Sequence, residues 1–150
     1  MRIPMRVDYG VRALVELAQG DPDVPKQTAQ IARRQGIPEA YLEQVLTSLN
    51  KAGLIKSRRG PHGGHVLAEH PQHINLAQVM AVLEGSGPLL NCLVEPVCCE
   101  LSETCAQREV WSFFEESVRS LLSSTTIASM ASRQRENLSL IHISEPTRPY

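Results

Sequence analysis

Residues Lys26–Ala68 read KQTAQIARRQGIPEAYLEQVLTSLNKAGLIKSRRGPHGGHVLA, and the fold of this stretch decides how the rest of the chain is read. Thr28–Arg34 is a short helical run, and Gly36 stands just past it, where a left-handed residue closes a helix without a Cβ penalty. Pro38 and Glu39 open a second helix, because proline loses nothing in a first turn and an acid suits the positive end of the helix dipole. Leu42, Val45, Leu46 and Leu49 follow at i, i+3, i+4 and i+7, which predicts one buried face. Gly53 ends that helix. Leu54–Ser57 and His65–Leu67 then read as two short strands joined by Arg58–Gly64. Two such helices joined by a glycine turn form a helix-turn-helix, and the hairpin forms a wing. The expected fold is mainly α with a small β-hairpin. A winged helix-turn-helix domain spans 1–85 and a cysteine-rich loop 86–105. A long dimerisation helix and a short terminal helix span 106–131, and a disordered tail 132–150.

With the leucine face turned inward, Tyr41, Glu43, Gln44, Thr47 and Ser48 stay on the outside of the second helix. Glutamine can pair bidentately with adenine, and glutamate can accept from cytosine. Arg58 and Arg59 stand at the base of the wing, where arginine can enter a narrow minor groove. Lys51 and Lys56 suit phosphates, which position a protein on DNA without reading sequence. Thr28 at the start of the first helix and His62 in the wing complete the expected DNA contacts. Arg33 or Lys51 alone would be an ordinary solvated charge; the combination of helix, turn and Arg-Arg-Gly hairpin points to duplex DNA. His62 and His65 have a spacing open to metal, but read as wing histidines beside DNA, and His70 and His73 as loop residues. The glycines of 60–64 are not followed by the helix and Lys-Ser/Thr of a phosphate loop. No GxSxG, HExxH or other nucleophile–base constellation occurs, so an enzyme is not expected.

The flanks fit one domain with an appended element. The chain has 150 residues, 42% of them hydrophobic, enough for a core. It has no apolar run of membrane-spanning length and no apolar signal region behind Met1, so a cytoplasmic protein is expected. Net charge is −1 but uneven: up to residue 70 there are ten Lys/Arg against seven Asp/Glu, and beyond it five against nine. A mildly basic front and an acidic rear suit a DNA-binding head with a separate rear element. Residues 7–18 read as an amphipathic first helix, and Gly20–Pro25 as a loop. Asn75 caps a helix that Gly85 ends. From Ala106 to about Leu122 helical periodicity returns with a wide apolar stripe (Val110, Phe113, Phe114, Val118, Leu121, Leu122), which predicts a helix crossing to a second subunit. The rival is a helix folded back on its own core. Thr126 can cap one more turn, Ile127–Met130. Residues 138–150 resemble the translation of a sequencing-library adaptor and are expected to be unpacked.

All four cysteines lie between Cys92 and Cys105, spaced Cys92-x5-Cys98 and Cys99-x5-Cys105 in one irregular loop. In a reducing compartment such clusters bind metal or sense redox state. Thiolates suit iron–sulfur clusters and zinc, and a loop with glycine and proline can wrap a cluster. Zinc sites favour closer pairs. Redox-active or unliganded thiols remain the other readings.

The chain resembles the IscR/NsrR family of winged-helix regulators. The carrying residues are Asp8–Leu14 (DYGVRAL), Ile37–Gln44 (IPEAYLEQ), Ala52–Ser57 (AGLIKS), Arg59–Gly64 (RGPHGG) and Glu84-Gly85. The resemblance covers about residues 1–131. It implies a homodimeric transcription factor, usually a repressor, that binds promoter DNA through residues matching Tyr41, Glu43, Gln44 and Arg59 and holds an iron–sulfur cluster by three loop cysteines. In one branch a histidine follows the third cysteine by three positions; here that position is Arg108, which cannot ligate. In another branch an aspartate of the partner's first helix supplies the fourth ligand, and Asp8 matches it. Cys92 and Cys105 are firm in the expected ligand set, while the spacing admits either Cys98 or Cys99 between them. Two further readings stand beside this one. A cluster-free family member would control metabolism, for example of cysteine, through a metabolite or partner protein. An iron–sulfur electron carrier or interaction subunit would use the winged helix only for contact.

Overall fold

The computed structural model describes residues 2–144, without the side chains of 142–144. The element order is α1 (Met5–Gln19), α2 (Thr28–Gln35), α3 (Glu39–Lys51), β1 (Ile55–Arg58), β2 (Gly64–Leu67), α4 (Leu76–Glu84), α5 (Ala106–Ser124) and α6 (Ile127–Ser144). Single 3-10 turns lie at Pro71–His73, Asn91–Leu93 and Pro96–Cys98. The fold is mainly helical with one antiparallel hairpin, as the sequence predicts.

The helix-turn-helix forms for the expected reasons. Gly36 ends α2 in the left-handed region at φ 66°, and the Ile37 N–H reaches back to the Ala32 carbonyl at 2.9 Å. Pro38 takes the cap position of α3, its carbonyl accepting from the Leu42 N–H at 3.0 Å. Leu42, Val45, Leu46 and Leu49 are all buried, and they meet Ile31, Leu14 and Ile55 in one core. Each such side chain contributes about 1.5–3 kcal/mol by leaving water. The hairpin pairs Ile55 with Leu67 and Arg58 with Gly64. α1 packs on α3, α4 and α6 and forms the spine of the body. It begins two residues earlier than the periodicity suggests, because the Pro4 carbonyl takes the Val7 and Asp8 N–H groups.

α4 carries a full capping box. Asn75 accepts from the Gln78 N–H, and the Gln78 side chain accepts from the Asn75 N–H, both at 2.9 Å. Beside it the chain closes on itself: the Leu76 N–H bonds the Thr125 carbonyl at 3.0 Å, and the Ile127 N–H bonds the Ile74 carbonyl at 2.8 Å. The segment that holds α4, the cysteine loop and α5 thus has its two ends joined, with α4 seated in the core through Val79 and Leu83.

α6 corrects the expectation of one turn followed by a disordered tail from 132. Thr126 caps as expected, its hydroxyl accepting from the Ser129 N–H at 3.1 Å, but the helix continues to Ser144. Ile127 and Ala131 are buried one turn apart and nucleate it on α1. Beyond them, strong helix formers such as Arg133, Gln134, Arg135, Glu136 and Leu138 propagate it in solvent. The adaptor-like segment is therefore helical over 138–144, with Leu138, Leu140 and Ile141 exposed; residues 145–150 lie outside the described residues.

Candidate nucleic-acid interface and cysteine loop

The reading face is built on α3. With four leucine-face positions buried, Glu43, Gln44 and Thr47 are exposed and Ser48 is half-buried. The Thr47 and Ser48 hydroxyls donate to the carbonyls of Glu43 and Gln44, one turn back, which leaves the Thr47 lone pairs outward, while Ser48 Oγ accepts from Arg6 Nη2 at 3.5 Å. Tyr41 is half-buried, edge-on to Tyr9 with ring centroids 5.4 Å apart, so its ring is braced by α1. Lys51 is exposed in the last turn of α3. Arg58 is exposed at the end of β1, and Arg59 and His62 are exposed in the hairpin turn.

The wing is fixed to the helix-turn-helix by contacts that alternation alone does not reveal. Lys26, just ahead of α2, pairs with His65 in an isolated antiparallel bridge: its N–H bonds the His65 carbonyl at 3.1 Å, and the His65 N–H bonds the Lys26 carbonyl at 2.8 Å. Gly64 permits this approach. Its φ is +147°, and a Cβ there would lie 2.6 Å from the Lys26 carbonyl carbon and oxygen. The His65 ring lies between two hydroxyls, with Nε2 2.9 Å from Thr28 Oγ1 and Nδ1 2.9 Å from Ser57 Oγ. Burial holds its pKa below the ordinary histidine value. Thr28 thus engages the wing from the first residue of α2.

A second missed group is Glu16, which amphipathic spacing places among the polar positions of α1. Its side chain is buried. Oε1 lies 2.9 Å from Arg34 Nε and 3.1 Å from Lys26 Nζ, and Oε2 accepts from Gln35 Nε2 at 2.9 Å. Lys26 Nζ also donates to the Glu16 carbonyl at 2.9 Å. The signal was local: a carboxylate flanked by Leu14, Val15 and Leu17, with three partners clustered within twenty residues of sequence.

Asp8 stands on the half-buried side of α1 and is held by Arg12, whose Nε and Nη2 donate to its two oxygens at 3.1 and 3.0 Å. Nη1 of the same guanidinium donates to the Gln35 carbonyl at 3.0 Å. Asp8 is thereby linked to the end of α2.

The cysteine loop is better ordered than its composition predicts, with two 3-10 turns. Cys92 and Cys105 are half-buried, Cys98 and Cys99 exposed, and all four thiols are free. Arg108 donates from Nε to the Cys92 carbonyl at 3.2 Å and so ties the loop to α5. The Ser102 hydroxyl is buried with no hydrogen-bond partner among the described residues. Among the described residues no three His, Cys, Asp or Glu side chains converge as a metal-binding group. The donor set fits an iron–sulfur cluster in type: soft thiols, a wrapping loop and an uncommitted hydroxyl able to donate to a sulfide. In this conformation the loop does not bring three of its thiols to one point.

α5 buries none of its residues. Phe114, Val118 and Leu122 face Met80 and Leu89 across a groove of about 510 Å³ between α4 and α5. Val110, Phe113 and Leu121 are exposed, Phe113 at 73%. The fold-back reading thus accounts for one side of the stripe and leaves the other open. Among the described residues no helix is long and apolar enough to cross a membrane.

Comparison with known proteins places this geometry. The profile of the Rrf2 family, described as an iron-dependent transcriptional regulator, matches residues 3–133. The HTH-type transcriptional regulator CymR of Bacillus subtilis (strain 168) is 36% identical over 132 residues, covering 88% of this chain and 91% of the relative. The HTH-type transcriptional regulator IscR of Yersinia enterocolitica is 31% identical over 134 residues, covering 89% and 81%. Two solved structures superpose with a TM-score of 0.74. They are CymR (YrzC), the global cysteine regulator of B. subtilis, 33% identical over 89% of this chain and 98% of that one, and IscR of T. potens, 34% identical over 91% and 90%. These relatives are regulators rather than enzymes. The chain belongs to the Rrf2 family of winged helix-turn-helix transcriptional regulators.

Proposed function

We propose that the chain is a homodimeric, cytoplasmic repressor that binds a promoter operator with two winged heads and senses its signal at the cysteine loop. The observation that carries this reading is a recognition helix with a wholly apolar inner face and an exposed Glu43-Gln44-Thr47 outer face, set beside a wing locked to the same body. Glu43 and Gln44 read base edges. Arg58, Arg59 and His62 approach the minor groove, Thr28 and Ser48 contribute hydroxyls, and Lys51 neutralises phosphate. One head carries too few cations for tight binding, and pairing doubles them; log K falls with log salt by about 0.9 per phosphate contact. The outward side of α5, with Phe113 and Leu121, is the pairing surface.

Cys92 and Cys105, with Cys98 or Cys99, are the residues that would hold an iron–sulfur cluster, with Asp8 of a partner subunit as the candidate fourth ligand. Such a cluster supplies sensitivity to iron supply, nitric oxide and oxidants. The chain's own contribution is positional. Arg108 ties the Cys92 backbone to the pairing helix, and Arg12 links Asp8 to the end of α2. A change at either end shifts the heads only as far as its differential affinity for two arrangements allows.

A second reading is favoured by the unconverged thiols and the likeness to CymR: a cluster-free regulator answering to a metabolite or partner protein. Anaerobic purification followed by absorbance spectroscopy and promoter gel shift separates the cases. Visible cluster absorbance with signal-dependent retardation supports the first reading. Retardation without absorbance supports the second. Absorbance without any sequence-dependent retardation would instead mean an electron carrier.

A further inference from the structure

His65 bonds hydroxyls on two different elements through its two ring nitrogens, and nothing in the expected DNA contact set gives it a task. The sequence offers it only as a wing histidine. The structure places it at the seam between wing and helix-turn-helix, on the wall of a cavity of about 300 Å³ that α3 shares through Glu43, Thr47 and Asn50. Thr28 and Ser57 line the same cavity. Its backbone, through Lys26, forms the rest of the seam.

We infer that His65 is a positioning residue for DNA binding: it locks the wing to the first helix of the reading head and dictates which way the Thr28 and Ser57 hydroxyl protons point. The inference rests on the DNA-binding reading above. The ring's proton count sets the direction of both hydroxyl bonds. A neutral imidazole has one donor and one acceptor nitrogen. One of the two hydroxyls must therefore give its proton to the ring, while the other accepts from the ring and keeps its own proton for an outside acceptor. An imidazolium donates from both nitrogens, so both hydroxyls accept from it and both keep their protons for a phosphate oxygen. The charged and titratable groups about the ring are few. Glu43 of α3 lines the cavity, the Lys26 ammonium is turned to Glu16, and Lys56 and Arg58 flank Ser57 along β1. Burial favours the neutral ring in the free protein. Duplex phosphates favour the cation, so binding takes up a proton, and affinity rises as pH falls through the ordinary histidine range.

The test uses the full chain and a duplex that the wild-type protein selects from a random pool. The reference is the His62→Gln chain, which lacks the other wing imidazole and whose own affinity is measured first against wild type. It is compared with its His65→Phe and His65→Gln derivatives by fluorescence anisotropy from pH 7.5 to 5.5, and folding is checked by circular dichroism. At pH 7.5 His65→Phe should bind about tenfold more weakly, as expected for losing both hydroxyl bonds, with an unchanged salt slope because no phosphate charge contact is removed. His65→Gln, which keeps one donor and one acceptor, should recover part of the loss. The gain in affinity on acidification should appear with His65 and vanish with Phe. Amide exchange tests the lock without DNA: His65→Phe should speed exchange at Lys26 and residue 65 about tenfold. Equal affinity within twofold, a shared pH profile and unchanged exchange would overturn the inference. A wild-type chain that selects no duplex would overturn the DNA-binding reading itself, and exchange would still decide whether His65 is the lock.

Discussion

Replacing Glu16 with alanine isolates the polar hub that ties α1 to the reading head. Three partners lose the carboxylate, and they are not equal. Arg34 is 63% exposed in its side chain, so water replaces the carboxylate and its share is at most about 1 kcal/mol. Lys26 is 16% exposed and keeps only the Glu16 carbonyl. Stranding a buried charge costs about 3–5 kcal/mol when no partner remains, and the retained carbonyl cuts that to about half. Gln35 loses one hydrogen bond, about 1 kcal/mol. The loss of stability for Glu16→Ala should therefore be about 3–4 kcal/mol. Glu16→Gln, which keeps the shape and an acceptor oxygen, should lose about half as much. Urea unfolding followed by circular dichroism measures both. A Glu16→Ala/Lys26→Met double variant should be less destabilised than Glu16→Ala alone, because the stranded ammonium is gone. A loss under about 1 kcal/mol for Glu16→Ala, with no recovery in the double variant, would refute the view of Glu16 as a desolvated hub.

Three other outcomes are expected of this fold and its loop. Gly64→Ala should lower stability by about 2–3 kcal/mol through its positive φ and the clash with Lys26, and should weaken duplex binding more than Gly87→Ala, whose site is open; urea unfolding and anisotropy report both. Phe113→Glu should convert a dimer into a monomer in sedimentation velocity with the helical content of the head retained, since it places a charge on the outward apolar side of α5. On the proposed cluster reading, Cys92→Ser should abolish the visible absorbance of anaerobically reconstituted protein, whereas Cys98→Ser and Cys99→Ser, measured singly, should show which of the two is dispensable.

The reading head was legible because its determinants are local. A 3.6-residue apolar period, Gly36 past α2, Pro38 before α3 and the alternation around a glycine turn each act within a few residues. What escaped was contact between segments distant in sequence. The pairing of Lys26 with His65 and the meeting of residues 74–76 with 125–127 depend on how elements return in space, which no local period encodes. Glu16 escaped because a carboxylate at helical spacing reads as solvated unless its partners' positions are known. The length of α6 escaped because the tail was set aside for its likeness to an adaptor translation, while its residues are also strong helix formers once Ile127 and Ala131 anchor the first turn. At the cysteine loop, sequence supplied the chemistry of the donors and could not supply their arrangement, which in loops is set by the rest of the molecule.

The backbone bridge between Ile74–Leu76 and Thr125–Ile127 has one more implication. α4 stays in the body, with Val79 and Leu83 in the core against α1 and α3, whereas the chain from 85 to 124 leaves it and buries Ser102 alone among its residues. That outer stretch starts at the end of α4 and finishes at the bridge. It could be lengthened, shortened or exchanged for that of a cousin while α4 and the bridge hold the remainder of the polypeptide in place.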